Sequence, residues 1–389
     1  MQNRRRRVAI LTEIISPYRI PVFNALANQE DLNLHVVFLS ETDARLRQWR
    51  IYRDEIGFSY EVLRSCRWRA GKHNVLLNWG LRRSLRKFSP DAIICGGYNY
   101  FSFWNASWWA RRHAAELILW SESNRCDARA GAGWVESLKA SFLAQCDRFV
   151  VPGSAAREYL KLLGSPSQSI SIAPNAVDNG WFQSQASWIR ARAPEFRILL
   201  GVPSRFLLFA GRLVREKGVF DLLEAYAGLK ADLRARVALV FAGDGTCRTE
   251  LERRAKRISP GRVDFRGFLH REELACVYAL AEGLILPTHS DTWGLVVNEA
   301  MACGLPIVVT SVAGCSSDLV RDGWNGYVVA PRDVENLHGA IDRLVRNPDH
   351  AGQMGMRSAQ RIVDYSPEAC AQGLAAAAFG AASEVRIPC

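Results

Sequence analysis

The chain has 389 residues, 49% of them hydrophobic and 23% charged, with a formal net charge of +11. This balance predicts ordinary globular domains, two or three on a prior of about 150 residues each, and excludes a disordered protein. The basic excess suits an anionic partner: a nucleic acid, a membrane surface or a phosphorylated substrate.

The charge is uneven. Arg4–Arg7 open the chain, and Arg, Lys and Trp crowd the stretch from Arg45 to Lys87. Only a short strand-like run, Val8–Ile15, follows the first arginines, so they do not read as the n-region of a signal peptide. No stretch approaches the roughly 18 apolar residues that span a bilayer. The ten cysteines (Cys66, Cys95, Cys126, Cys146, Cys247, Cys276, Cys303, Cys315, Cys370 and Cys389) are scattered, with no CxxC or Cys/His ligand spacing. Several lie in apolar runs such as GLPIVVTSVAGC, where Cys behaves as a small hydrophobe, a pattern suited to a reduced, cytosolic compartment.

In chain order, short apolar or β-branched runs predict strands at Val8–Leu11, Leu34–Leu39, Ala92–Cys95, Glu116–Trp120 and Arg148–Val151. Helical periodicity falls between several of them, as in Ile20–Ala27 and Trp79–Lys87. The same rhythm restarts at Phe206. Strands are expected at Phe206–Ala210, Val237–Ala242, Val263–Arg266, Gly283–Leu286 and Pro306–Thr310. Helices are expected at Phe220–Gly228, Thr249–Ile258, Glu272–Ala281, Val296–Ala302 and Val334–Arg346. Between the halves, Ile172–Pro203 has three prolines and no clear period, and reads as an interdomain connection. The alternation predicts an α/β protein of two Rossmann-like domains with ligands beyond the carboxyl ends of parallel strands.

Two segments carry candidate chemistry. In FAGRLVREKG (Phe209–Gly218) a strand ends at Ala210, Gly211 allows a close turn, and Arg212 and Lys217 follow five residues apart. Arg grips phosphate oxygens in pairs and Lys supplies a compact charge, so the two could neutralise a diphosphate without a metal. Alone, the segment is equally a solvated surface turn. In SDTWGLVVNEAMACGLP (Ser290–Pro306), Asp291 and Glu299 are separated by seven residues, and Trp293, Gly294 and Leu295 fall where a helix should begin. Free N–H groups there form an anion site, Glu299 could accept ribose hydroxyls and Asp291 could reach a sugar ring. The plainer alternative is an acid complementing the helix dipole and a solvated Glu; the pairing of the two segments favours the site.

These segments resemble the EX7E motif and phosphate-binding turn of retaining glycosyltransferases of family 4 (glycosyltransferase group 1, GT-B fold). Further pieces fit in order over about Ile172–Val329: IAPNAVD with Asn175 and Asp178, FAGDG with Gly243–Gly245, and FRGFLHREEL at Phe265–Leu274. The resemblance implies two Rossmann-like domains facing each other across a cleft: an acceptor-binding domain at 1–175, a linker at 176–202, a nucleotide-sugar domain at 203–366, and a C-terminal helix at 367–389 crossing back to the first. It implies that Arg212 and Lys217 bind the diphosphate and Glu299 the ribose. Backbone near Gly267 and Phe268 would face the base, Trp293, Gly294 and Leu295 would meet the donor, and Asp291 would contact the donor sugar. The implied enzyme is a hexosyltransferase using a UDP- or GDP-sugar as substrate, with no cofactor and no metal. Its partners would be a glycan or lipid-linked acceptor and an anionic membrane surface. It would be cytoplasmic, peripheral on the inner face of the membrane and active in polysaccharide biosynthesis. No nucleic-acid module is recognised. A sugar-nucleotide epimerase or phosphorylase on the same fold, or a non-catalytic donor-binding partner subunit, are the alternative readings.

There are departures. The first acid of the motif is Asp291 rather than Glu, one methylene shorter, and the family's N-terminal glycine-rich loop is replaced by TEIISPYRIPVFNAL (Thr12–Leu26). Pro17, Tyr18 and Arg19 therefore either line the cleft opposite the donor or form a rigid turn with a packed Tyr18. Glu122, beyond a predicted strand end, is an active-site acid or part of a surface turn. His289 either supports Asp291 or is simply packed. Glu41-Thr42-Asp43 has the spacing of a metal-binding acidic triplet and reads as a loop. Trp104, Trp108 and Trp109 in FSFWNASWWARRH suit a packed helix side, with membrane contact or sugar stacking as the other readings.

Overall fold

The computed structural model describes residues 4–43, 49–70, 73–126 and 133–380. Arg45, which opens the basic stretch, and Cys389 lie outside them. The chain divides into two compact units. Of the described residues, one holds those up to Val177, apart from Cys126, together with Pro367–Gly380; the other holds Asp178–Ser366 and Cys126.

In the first unit the strands are β1 (Arg6–Thr12), β2 (Leu32–Phe38), β3 (Ser59–Val62), β4 (Arg64–Ala70), β5 (His73–Trp79), β6 (Ala92–Cys95), β7 (Glu116–Trp120), β8 (Arg148–Val151) and β9 (Ile170–Ile172). Seven of them form one parallel sheet in the order β3-β2-β1-β6-β7-β8-β9, while β4 and β5 make a separate antiparallel hairpin. β1 is buried on both faces, as a covered parallel sheet requires. Val8 and Ile10 join the layer containing helix Ile20–Ala27 and the C-terminal helix Pro367–Phe379, and Ala9 and Leu11 join the layer containing Phe103 and Trp109. The C-terminal helix is built of small residues because it lies tight against the sheet. A Cβ on Gly373 would sit 2.3 Å from the carbonyl oxygen of Ile172.

The second unit has β10 (Phe206–Ala210), β11 (Ala238–Ala242), β12 (Val263–Gly267), β13 (Leu284–Leu286), β14 (Ile307–Thr310) and β15 (Gly326–Val329). All are parallel, in the order β12-β11-β10-β13-β14-β15. The chain winds outward from β10 through β11 and β12, then returns to the other side of β10 at β13. This reversal makes the carboxyl ends of β10 and β13 the switch point, where a crevice opens in such sheets.

The irregular connection expected over Ile172–Pro203, with its linker at 176–202, is corrected by two helices, Asn179–Arg190 and Ala193–Leu200. Asp178 caps the first by accepting from Trp181 N at 2.9 Å. Phe182, Ala186 and Ile189, at i, i+4 and i+7, are its buried stripe. The prolines punctuate these helices rather than preclude them: Pro194 occupies the first turn of the second helix, where a missing N–H costs nothing. The helix expected from Trp79 begins at Leu81, because Trp79 completes β5 and Gly80 takes a left-handed φ of 97°. The hairpin itself was not anticipated. Among the described residues no helix is long and apolar enough to cross a membrane, and all nine described cysteines are free.

Gly373→Leu should overpack the contact with Ile172 and cost about 1–3 kcal/mol, read as a lowered Tm in thermal unfolding. An unchanged Tm would contradict this close packing.

Candidate functional site

The loops leaving β10 and β13 are locked together by backbone. After β10, Gly211 takes a φ of 143°, and the backbone of Gly243 presses so close that a Cβ there would meet the Gly211 carbonyl oxygen at 1.9 Å. Leu213 N donates to Asp244 O at 2.8 Å and Cys247 N donates to Leu213 O at 2.9 Å, binding the loops after β10 and β11. Arg215–Lys217 then form a 3-10 turn, and Gly218, at a φ of 65°, starts helix Val219–Ala227. The carbonyl oxygen of Pro287, just after β13, would lie 1.9 Å from a Cβ on Gly218. Glu216 O accepts from His289 N at 2.7 Å and from Thr288 Oγ1 at 2.9 Å, and the His289 ring meets Asp221 at 2.7 Å. His289 thus braces the loop that carries Asp291.

The consequence is an ion pair between Lys217 and Asp291, both largely covered from solvent. Trp293 N donates to the other oxygen of Asp291 at 3.4 Å. Gly294, at a φ of 100°, opens helix Leu295–Ala302 and has no side chain to cap its first turn, although its carbonyl oxygen accepts from Val297 N at 2.9 Å. The Trp293 side chain is buried, with Nε1 donating to Asn298 Oδ1 at 2.8 Å, so it anchors the turn and only its backbone faces the site. Arg212 is exposed, and its guanidinium makes no hydrogen bond or ion pair among the described residues.

Glu299 lies on the same helix, half-buried, and accepts from the Tyr278 hydroxyl at 2.8 Å. Burial pushes its carboxyl from 4.5 up to about 7, against the lowering effect of the Tyr278 bond. Gly267 ends β12 at a φ of 71° and its carbonyl accepts from Gly243 N at 2.7 Å. Phe268, the next residue, is 39% exposed with its ring edge-on to His270. Arg212, Lys217, Gly267, Phe268, Asp291, Trp293, Gly294 and Leu295 therefore all lie on the segments that leave the carboxyl ends of β10, β12 and β13. Glu299 sits one turn into the helix after β13. Tyr278 and Asp221 were not anticipated: each meets its partner only through the fold, across 21 and 68 residues, and no local pattern marks them.

Arg19 and Glu122, singled out separately in the first unit, meet one another. Pro17–Arg19 form a 3-10 turn. Tyr18 packs edge-on to Trp49 at 5.9 Å. The Arg19 guanidinium stacks on Trp120 at 3.8 Å and pairs with Glu122, just past β7. Of the acidic triplet, Glu41 pairs with Arg53, and Asp43 with Arg67 at 2.6 Å. Trp109 is buried and Trp104 packs against the core, whereas Trp108 is exposed.

Two family matches cover most of the chain: residues 195–361 match Glycosyl transferases group 1, and residues 25–180 match Glycosyltransferase Family 4. The chain belongs to this glycosyltransferase family. An uncharacterized glycosyltransferase of Methanocaldococcus jannaschii is 29% identical over 203 residues, 51% of each protein. A glycogen synthase of Mycobacterium tuberculosis is 26% identical over 317 residues, 76% of this chain and 70% of that one. The chain thus spans about half the length of the first relative. Among solved structures, Anabaena HepE in complex with UDP and glucose superposes with a TM-score of 0.74 at 16% identity, covering 95% of this chain and 98% of that one. The expected fold class, two parallel-sheet α/β domains of the GT-B type, stands.

Because the Glu299 carboxyl is raised in the folded state, the stability it contributes is fully present below about 4.5 and is lost as pH rises through about 7. Tyr278→Phe removes the bond that favours the carboxylate, so an NMR titration of Glu299 should move its pKa higher still. A downward shift would contradict the assignment of Tyr278 as its donor.

Proposed function

We propose that the chain is a retaining glycosyltransferase that moves a hexose-type sugar from a UDP- or GDP-sugar to a glycan or lipid-linked acceptor. The observation that carries this reading is the clustering at the switch point of the second sheet. Two cations, an uncapped helix start and two carboxylates sit on segments that backbone contacts hold in place. The UDP and glucose bound in HepE are the ligands that such an arrangement suits.

When the bond between the anomeric carbon and the β-phosphate oxygen breaks, negative charge grows on the departing diphosphate. Donors already fixed in place stabilise such charge without reorganisation. Arg212 offers a free fork, and the first turn of helix Leu295–Ala302 offers N–H groups. Lys217 exchanges Asp291 for a phosphate oxygen, which frees the Asp291 carboxylate to accept sugar hydroxyls. Glu299 accepts from the ribose. Gly267 and Phe268 border the base. The diphosphate oxygen takes the acceptor's proton as the new bond forms on the same face of the sugar, so no protein nucleophile is assigned. The two cations and the helix start carry the neutralisation a metal would otherwise supply.

Lys217→Ala should lower kcat by about 10²–10³-fold with the fold intact by circular dichroism. Near-normal turnover in the folded variant would remove Lys217 from this role. Because ribose recognition needs the Glu299 carboxylate, donor affinity should strengthen as pH rises through about 7. Glu299→Gln should weaken binding and abolish that pH dependence in calorimetric titrations. An unaltered pH profile in the variant would place the ionisation elsewhere.

A further inference from the structure

The first sheet has a switch point of its own. The chain runs outward from β1 through β2 and β3, then returns to the other side of β1 at β6. Crevices open at such reversals, beyond the carboxyl ends of the strands. Backbone ties the loops together there: Gly96 N donates to Leu11 O at 2.8 Å, and Ser40 N donates to Glu13 O at 2.9 Å. Glu13 directly follows β1, and Tyr100 lies between β6 and helix Phe101–His113.

The hairpin completes the group. Arg67 on β4 pairs with Leu76 on β5, and directly paired residues share a face. That face is the inner one, since Leu76 is buried and Asn78 bonds to Leu39 and Ser102. Arg67 Nη1 donates to Asp43 Oδ2 at 2.6 Å and to Glu13 Oε1 at 2.9 Å. The Tyr100 hydroxyl donates to the same Glu13 oxygen at 2.6 Å. Burial raises that hydroxyl well above its usual 10, with the Glu13 carboxylate adding to the effect, so it stays a donor.

The charge here is arranged one-sidedly. Asp43, only 5% exposed, balances the Arg67 guanidinium, whose Nε and Nη2 are buried without a partner. Glu13 is therefore a surplus carboxylate, and it is turned outward: its side chain is 35% exposed against 18% for Arg67. Its Oε2 accepts from no other residue among those described. Arg19 and Glu122 repeat the arrangement, with the guanidinium covered on Trp120 and the carboxylate more exposed. The exposed Arg125 stands on the loop after β7, not at the reversal.

We propose that Glu13 selects the acceptor: its outward oxygen receives a hydroxyl of an unphosphorylated sugar, and a phosphate is excluded from this position. A carboxylate oxygen only accepts, so it matches a hydroxyl donor. A phosphate would bring more acceptors and a like charge, and the cation behind Glu13 is already committed. The proposal rests on the transferase reading and narrows it. On a lipid-linked acceptor, the sugar end enters here and the phosphate stays away.

The test is saturation-transfer NMR on the full chain with the methyl glycosides of glucose, galactose and mannose and with their 6-phosphates. UDP and GDP report separately on the second unit. At least one methyl glycoside should bind, and its 6-phosphate should bind more weakly by about tenfold or more. Glu13→Gln keeps the shape and removes the charge. It should weaken glycoside binding about tenfold, narrow the preference over the phosphate, and leave nucleotide affinity unchanged. Should that variant fail to fold, the wild-type preference for a glycoside over its 6-phosphate reads the proposal without any substitution. With nucleotide binding intact, absence of glycoside binding, equal binding of the phosphate, or indifference to Glu13→Gln in the folded variant overturns this proposal alone. Failure of both nucleotides to bind overturns the donor reading, and this proposal with it.

Discussion

Gly218 lies so close to the carbonyl oxygen of Pro287 that no side chain can stand between them. That constraint joins the loops after β10 and β13, and the candidate site depends on the junction. With the two backbones touching, Glu216 can accept from His289 and Thr288, and Lys217 comes within reach of Asp291. A β-carbon at Gly218 would push the loops apart and carry the cation away from the carboxylate. The same device recurs one strand over, where Gly243 meets Gly211. Close backbone approach, rather than any one side chain, sets the geometry of this sheet edge.

Lys217 and Asp291 are two partly covered charges that satisfy one another, which limits the cost of holding them out of water. The shorter Asp in place of the motif's Glu keeps the acid close to the loop backbone, where Trp293 N also reaches it. Glu299 is held differently. Its one described partner is a neutral hydroxyl, so burial prevails and the carboxyl titrates near neutrality.

The sequence made the sheets legible because their strands are short apolar runs buried on both faces. Phe206–Ala210, Glu116–Trp120 and Ala92–Cys95 form as strands over the residues expected. Helix Asn179–Arg190 was hidden by nearby prolines, although its Phe182, Ala186 and Ile189 stripe was present to be counted. The hairpin was hidden by its composition, since Arg64, Arg67 and Trp68 read as part of a basic stretch rather than as a strand. In the site, the local motifs were visible as spacing, but their supports were not. Tyr278 beneath Glu299 and Asp221 behind His289 are brought there by sheet order, which a single sequence does not display. Arg19 and Glu122 were noticed separately, and their contact across 103 residues emerges only from the fold.

The central claim is that the switch point of the second sheet holds a diphosphate. Calorimetric titration of the wild type and of Arg212→Ala with UDP and UMP, and with GDP and GMP, tests it most directly. The account predicts that one diphosphate binds far more tightly than its monophosphate, and that this advantage largely disappears in the variant. Equal affinity for the two forms, or an advantage untouched by Arg212→Ala, would contradict it.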